Sequence, residues 1–142
     1  MKFAYKRFAS GIERPIIPII VRNPATRQSV RYLALVDSGA DVSIFAAEIG
    51  ELIGLDVVGG RVRNLSGVVA GQIRPYYMHD IEIEVRRLRR RSAVGFMSDL
   101  APGGYGLLGQ VGFFDFFSFV KFERRNGFVE LGAVLPVDRQ RK

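Results

Sequence analysis

Apolar residues fall along the chain in short runs of four to eight, rich in Val, Ile, Phe and Tyr and interrupted by Gly, Pro and Asn. That pattern predicts strands rather than long helices. Strands are expected over residues 3–8, 16–21, 31–36, 61–65, 68–73, 76–85, 89–96, 117–123 and 128–131. Ile81-Glu82-Ile83-Glu84-Val85 alternates strictly, so one face of that strand should be buried and the other solvated. Arg124-Arg125-Asn126-Gly127 carries the Asn-Gly pair that favours a tight hairpin turn, joining the last two strands. Residues 46–53 place apolar side chains at Ile49, Leu52 and Ile53 ahead of Gly54, which predicts two helical turns packed on the sheet. Residues 110–116 suit a buried helix or a strand equally, because their phenylalanines would serve either. There is no internal repeat or linker, and residues 138–142 are expected to be a frayed polar tail.

Composition narrows the chemistry. With 142 residues, 48% hydrophobic and 25% charged, residues 1–142 should form one domain with its own core. The absence of Cys and the single histidine, His79, exclude a thiol nucleophile, a disulfide framework and a Cys/His zinc site. No metal or cofactor is expected, and the cluster Phe113, Phe114, Phe116 and Phe117 reads as core. His79 follows Tyr76-Tyr77-Met78 and reads as a strand residue, while the lack of a Gly-x-Ser-x-Gly elbow argues against a serine triad. No run reaches the roughly 18 apolar residues of a membrane span. Glu13, Arg14, Pro15 and Pro18 interrupt any signal-peptide core, so a cytoplasmic location is expected.

The net charge is +7, and five arginines lie within residues 86–91 (Arg86, Arg87, Arg89, Arg90 and Arg91). As an ordinary element this run is a solvated connection between strands that discourages edge pairing. As a sharper reading it is a patch for phosphate or an acidic partner. No aromatic stacking set or nucleic-acid motif accompanies it, so a nucleic-acid partner is not expected.

The sharpest local feature is the stretch Leu33-Ala34-Leu35-Val36-Asp37-Ser38-Gly39-Ala40-Asp41. An apolar strand running into Asp, a small hydroxyl residue and Gly can set a carboxylate on the floor of a cleft, with Gly allowing a ligand to come close. The same residues also suit a plain strand-to-turn junction in which Asp37 makes an Asx hydrogen bond.

Asp37-Ser38-Gly39-Ala40-Asp41, followed by Val42-Ser43-Ile44-Phe45, resembles the active-site segment of the retropepsin-like aspartic proteases. Seventy residues after Asp37, Leu107-Leu108-Gly109 resembles the apolar-apolar-Gly element that crosses the aspartate loop in that family. Between them Leu65-Ser66-Gly67-Val68-Val69-Ala70-Gly71 resembles its flap hairpin. The segment from Leu107 to Phe117 resembles the ending of bacterial single-lobe members, so the likeness spans about residues 15–131.

The resemblance implies a mostly β, closed acid-protease barrel with one or two short helices, and an aspartic endopeptidase activity. Asp37 would be catalytic, supported by Ser38 and Gly39, with Ser38 bonding across a dimer axis. Substrate would meet Gly39, Ala40, Asp41, Gly67, Val68, Val69, Ala70, Gly71, Leu107 and Leu108. Amide hydrolysis by two carboxyl groups needs one as general base on water and one, protonated, as general acid. Two such groups about 3 Å apart share a proton, so the pair supplies both roles. One Asp-Ser-Gly per chain then implies a homodimer acting on an extended peptide or protein substrate. Ala40, lacking a hydroxyl, implies a less acidic optimum than in relatives with Ser or Thr at that place. Gln110 and Val111 depart from the viral pattern, where an Arg pairs with the acid equivalent to Asp41. A non-catalytic peptide- or partner-binding module on the same fold is the alternative.

Overall fold

The computed structural model describes residues 1–66, 73–100 and 104–137. The flap residues, most of the expected strand 68–73 and the polar tail lie outside the described residues. Among the described residues there are twelve strands: β1 (Lys2–Ala4), β2 (Lys6–Arg7), β3 (Glu13–Arg14), β4 (Ile16–Arg22), β5 (Ser29–Val36), β6 (Ile44–Ala46), β7 (Arg61–Ser66), β8 (Ile73–Val85), β9 (Leu88–Met97), β10 (Gly106–Leu108), β11 (Val120–Glu123) and β12 (Phe128–Leu131). One helix, α1 (Ala47–Leu52), and two 3-10 turns, Val57–Gly59 and Phe114–Phe116, complete the described elements. No helix among the described residues is long and apolar enough to cross a membrane.

The main sheet runs β4-β5-β10-β6-β9-β8-β7. Strand β8 gives one edge to β9 and divides the other, pairing with β7 over its first half and with β4 through Glu82 to Glu84. The pairings therefore close on themselves around a core, as expected of a barrel, and remove most open edges. Inward positions alternate along the strands: Ile17, Ile19 and Val21 on β4, Tyr32, Ala34 and Val36 on β5, Ile81, Ile83 and Val85 on β8. A second sheet, β1-β12-β11, adds Phe3, Val129 and Leu131 to the same core.

Several expectations change in detail. The strand expected at 3–8 divides at Tyr5, whose N–H donates to the Gly127 carbonyl, because its two ends find different partners, β12 and β3. The strand expected at 117–123 begins only at Val120, since Phe117 turns inward and pairs with Val134 instead. Residues 110–116 resolve into the 3-10 turn Phe114–Phe116, where fully buried Phe113 meets Phe116 and Phe117 edge to face. Strands β6 and β10, three residues each, carry too few positions for an alternation to be read. His79 sits on β8 with Nε2 2.7 Å from the Val57 carbonyl, so it pins the first 3-10 turn to the sheet.

The arginine run is built into the fold. Arg86 and Arg87 form the two-residue turn between β8 and β9, with Arg86 in the left-handed region that such hairpins require. The Arg86 guanidinium lies 4.2 Å from the Phe3 ring centroid and donates to the Lys2 carbonyl. Arg89 pairs with Glu84 at 3.4 Å, and Arg90 donates to the Leu135 carbonyl at 3.0 Å. The run thus ties both terminal segments onto one hairpin.

The outer face of β8 is not simply solvated. Glu82 and Glu84, 15% and 13% exposed, both pair with Arg22 of β4. Burial tends to raise the Glu82 carboxyl, but hydrogen bonding to Arg22 and the charges of Arg27 and Arg22 outweigh it and hold it below the ordinary range. For Glu84 the Arg22 hydrogen bond dominates and lowers it despite burial. As pH falls, unfolded-state carboxyls take up protons before these two, so their stabilisation is present above the unfolded value and lost as pH drops through the folded ones. Arg22→Ala should cost roughly 1.5–3 kcal/mol at pH 7. The deficit should shrink as pH is lowered below the usual carboxylate range, as read from urea midpoints at pH 7 and pH 3. A pH-independent deficit would show that packing alone is lost.

Candidate active site

The aspartate loop grows directly out of β5. The Asp37 N–H donates to the Leu108 carbonyl at 3.0 Å, extending the parallel pairing of β5 with β10 by one residue. The chain then turns: Ala40 N–H donates to the Asp37 carbonyl at 3.2 Å, and Gly39 N–H donates to Asp37 Oδ1 at 2.9 Å. The two readings of this segment are therefore not exclusive. The Asx hydrogen bond that marks a plain turn also fixes the orientation of the carboxylate.

Residues 109–111 cross beneath the loop and brace it, as the apolar-apolar-Gly element led one to expect. Gln110 N–H donates to the Ala40 carbonyl and Val111 N–H to the Asp41 carbonyl, each at 2.9 Å. A Cβ at Gly109 would stand 2.6 Å from both the Ala40 and Val42 carbonyl oxygens, so only glycine allows this approach. Ser43, fully buried, accepts from Gly109 N–H at 3.0 Å and donates through Oγ to the Val111 carbonyl at 3.1 Å. Gln110 extends its amide to the Ser38 carbonyl at 3.0 Å. Where a charged tether to Asp41 is missing, a neutral hydrogen bond thus holds the other side of the loop. Asp41 is exposed and has no ion-pair partner among the described residues.

Asp37 opens onto a cleft of about 420 Å³. Of the expected site residues, Asp37, Gly39, Ala40, Asp41 and Leu107 line it together. Ser38 lies on the exposed loop surface, and the Leu108 side chain is fully buried in the core, so neither borders the cleft. Leu108 contributes its carbonyl to Asp37 instead, because alternation on β10 turns Leu107 and Leu108 to opposite faces. Gly67, Val68, Val69, Ala70 and Gly71 lie outside the described residues, but the strands leading to and from them bring Asn64, Leu65 and Tyr76 to the cleft wall. Val42 and Ile44 complete the lining.

Sequence reading missed Asn64 and Tyr76, which reach the cleft through the β7–β8 register and carry no local signal of their own. The Tyr76 ring packs where a Cβ on Gly95 would stand, at 2.5 Å, so a glycine on β9 makes room for this wall. The bracing roles of Ser43 and Gln110 were also missed. Ser43 was visible only as part of the motif.

No protein-family model matches the chain, and no curated protein matches it by sequence. Solved structures do. A retropepsin-like aspartic protease from Rickettsia conorii superposes with a TM-score of 0.61 at 13% identity, covering 91% of this chain and 88% of that one. EIAV protease complexed with the inhibitor HBY-793 gives a TM-score of 0.48 at 16% identity, covering 68% of this chain and 82% of that one. The chain has the retropepsin-like fold, the fold of the Rickettsia aspartic protease, and in it Asp37 follows the end of β5 and lines a cleft.

Proposed function

We propose that this chain is an aspartic endopeptidase whose site is completed by a second copy, with the two Asp37 carboxyl groups facing each other across a twofold axis. The observation that carries the reading is the Asp37 carboxylate, set by the Gly39 N–H and lining a cleft, in a loop braced from below. One carboxylate would take a proton from an attacking water while the other, protonated, donates to the substrate carbonyl. As the tetrahedral intermediate collapses, the carboxyl group that took the water proton gives it to the leaving amine, while the other carboxylate takes back a proton from the hydroxyl formed on the substrate carbonyl, so the pair returns to its starting state with one proton shared. Leu107, Val42, Ile44 and Leu65 offer apolar contacts for alternate side chains of an extended peptide. Residues 67–71 would close over it and exclude water.

The reading requires assembly. Sedimentation equilibrium should find a self-associating species, and cleavage per chain should rise with protein concentration toward a plateau. A strict monomer at high concentration that still cuts peptides would rule out the shared dyad. The second reading, a peptide-binding module on the same fold, draws on Gln110. Its bond to Ser38 leaves Asp41 without a charged tether among the described residues, an arrangement that can hold a peptide without assembling a dyad. Peptide binding by a non-cleaving wild-type protein would favour it.

A further inference from the structure

Away from the Asp37 cleft, the outside of the barrel carries a hollow of about 340 Å³. Phe3, Pro18, Ile19 and Ile20 form its apolar walls, and Arg31, Arg86 and Glu84 supply its charges. Strand register explains the grouping. Ile20 stands opposite Arg31 of β5 on one side and opposite Glu84 of β8 on the other, so Arg31, Ile20 and Glu84 form one row across three strands. Phe3 comes from β1, and Arg86 from the turn that follows β8. None of these residues borders the Asp37 cleft. Arg31 lies on β5 and Asp37 just beyond its end, a separation of about 20 Å at the rise of an extended chain.

The charges in the hollow are not equivalent. Glu84 is already committed: Arg22 reaches it at 3.0 Å and Arg89 at 3.4 Å, and the Arg22 hydrogen bond keeps it ionised. The Arg86 guanidinium is held 4.2 Å from the Phe3 ring centroid and spends one N–H on the Lys2 carbonyl, which fixes its place and leaves other donors free. Arg31 is exposed and has no carboxylate partner among the described residues. Two cations and one anion leave the lining one positive charge in surplus beside apolar walls. A hollow of this size and lining suits a small molecule. The ionised Glu84 disfavours a doubly charged head group, whereas a single carboxylate balances the surplus.

We infer that this hollow binds a small monocarboxylate with an apolar body, of the medium-chain alkyl acid type. The carboxylate would accept charge-assisted hydrogen bonds from Arg31 and Arg86, whose planar guanidinium groups match it. The hydrocarbon would lie against Phe3, Pro18 and Ile20 and leave water. Both halves of the ligand are needed, since an exposed ion pair alone contributes little. The site stands independently of the endopeptidase reading, because it shares no residue with the Asp37 cleft.

The probe is octanoate, titrated calorimetrically into the full chain at low salt and below the concentration at which it forms micelles. One molecule should bind per chain. Octanol and acetate, which each lack one half of the ligand, should bind about tenfold or more weakly. Arg31→Gln should weaken octanoate binding by about tenfold, the factor that about 1.4 kcal/mol gives, and should fold normally because Arg31 is exposed. Arg86→Gln should weaken it as much; if loss of the Phe3 and Lys2 contacts unfolds that variant, Arg31→Gln decides alone. Methyl spectra of isoleucine-labelled protein locate the ligand: the Ile20 methyl should shift on octanoate addition, and that of Ile44, in the Asp37 cleft, should not. Wild-type affinity in Arg31→Gln overturns the site, as does a lack of saturable binding, equal binding of octanol, or several molecules bound per chain. A shift at Ile44 without one at Ile20 also overturns it. So does binding to phosphatidylglycerol vesicles with none to monomeric octanoate, since the arginines would then meet a membrane surface.

Discussion

Asp37→Asn is expected to reduce cleavage of an unstructured peptide library by about a thousandfold or more, within the range that general acid–base groups contribute. The substitution is nearly isosteric. An asparagine Oδ1 can still accept the Gly39 N–H that Asp37 Oδ1 accepts at 2.9 Å, so the loop should keep its shape. What the amide cannot do is take a proton from water or share one with a facing carboxyl group. Unchanged circular dichroism and an unchanged monomer–dimer equilibrium should accompany the loss. Mixing variant and wild type in equal amounts sharpens the result: if pairing is random, wild-type pairs fall to about a quarter of all dimers, so activity per total chain should fall to about a quarter. A fall to about half would mean that each chain works alone, and undiminished activity of the pure variant would remove Asp37 from the chemistry.

Gly109→Ala should have the largest effect on stability of any single methyl group added near the site. The new Cβ would meet two backbone oxygens, those of Ala40 and Val42, at 2.6 Å, and neither can swing aside as a side chain could. Relieving the clash requires residues 109–111 to move away from the aspartate loop. That strains the hydrogen bonds to the Ala40 and Asp41 carbonyls and the bond between Gly109 N–H and Ser43 Oγ. Overpacking of this kind costs about 1–3 kcal/mol, and an unsatisfied buried group adds about 1–3 kcal/mol. Urea denaturation should show a loss of that combined order. Peptide cleavage by the remaining folded protein should fall as well, because the loop that orients Asp37 is no longer held. A wild-type midpoint in Gly109→Ala would mean that the crossing is looser than its contacts imply.

Much of this was legible locally. The alternation at Ile81 to Val85 announced a strand with one face in the core, and the buried positions agree. The run into Asp37 announced a strand ending at a carboxylate, since a strand-to-Gly turn needs only neighbouring residues to define it. The retropepsin-like fold followed from four short elements in order, although overall identity to the Rickettsia structure is 13%.

What lay beyond local reading shares one physical cause. Strands β6 and β10 are recognisable through their parallel pairing with β9 and β5 and their antiparallel pairing with each other, and all these partners come from distant sequence. Asn64 and Tyr76 join the cleft through a register that no single segment displays. The arginines of residues 86–91 read as loose surface charge, yet Arg86 and Arg90 hold the segments at Lys2 and Leu135, more than forty residues away in either direction. Arg31 is an ordinary basic residue until cross-strand register sets it in one row with Ile20 and Glu84. Periodicity and turn chemistry are properties of neighbours along the chain, so the sequence could name the strands, the turn and the carboxylate. Which groups then stand within a few ångströms of one another is settled by long-range pairing, and that was left to the closed sheet.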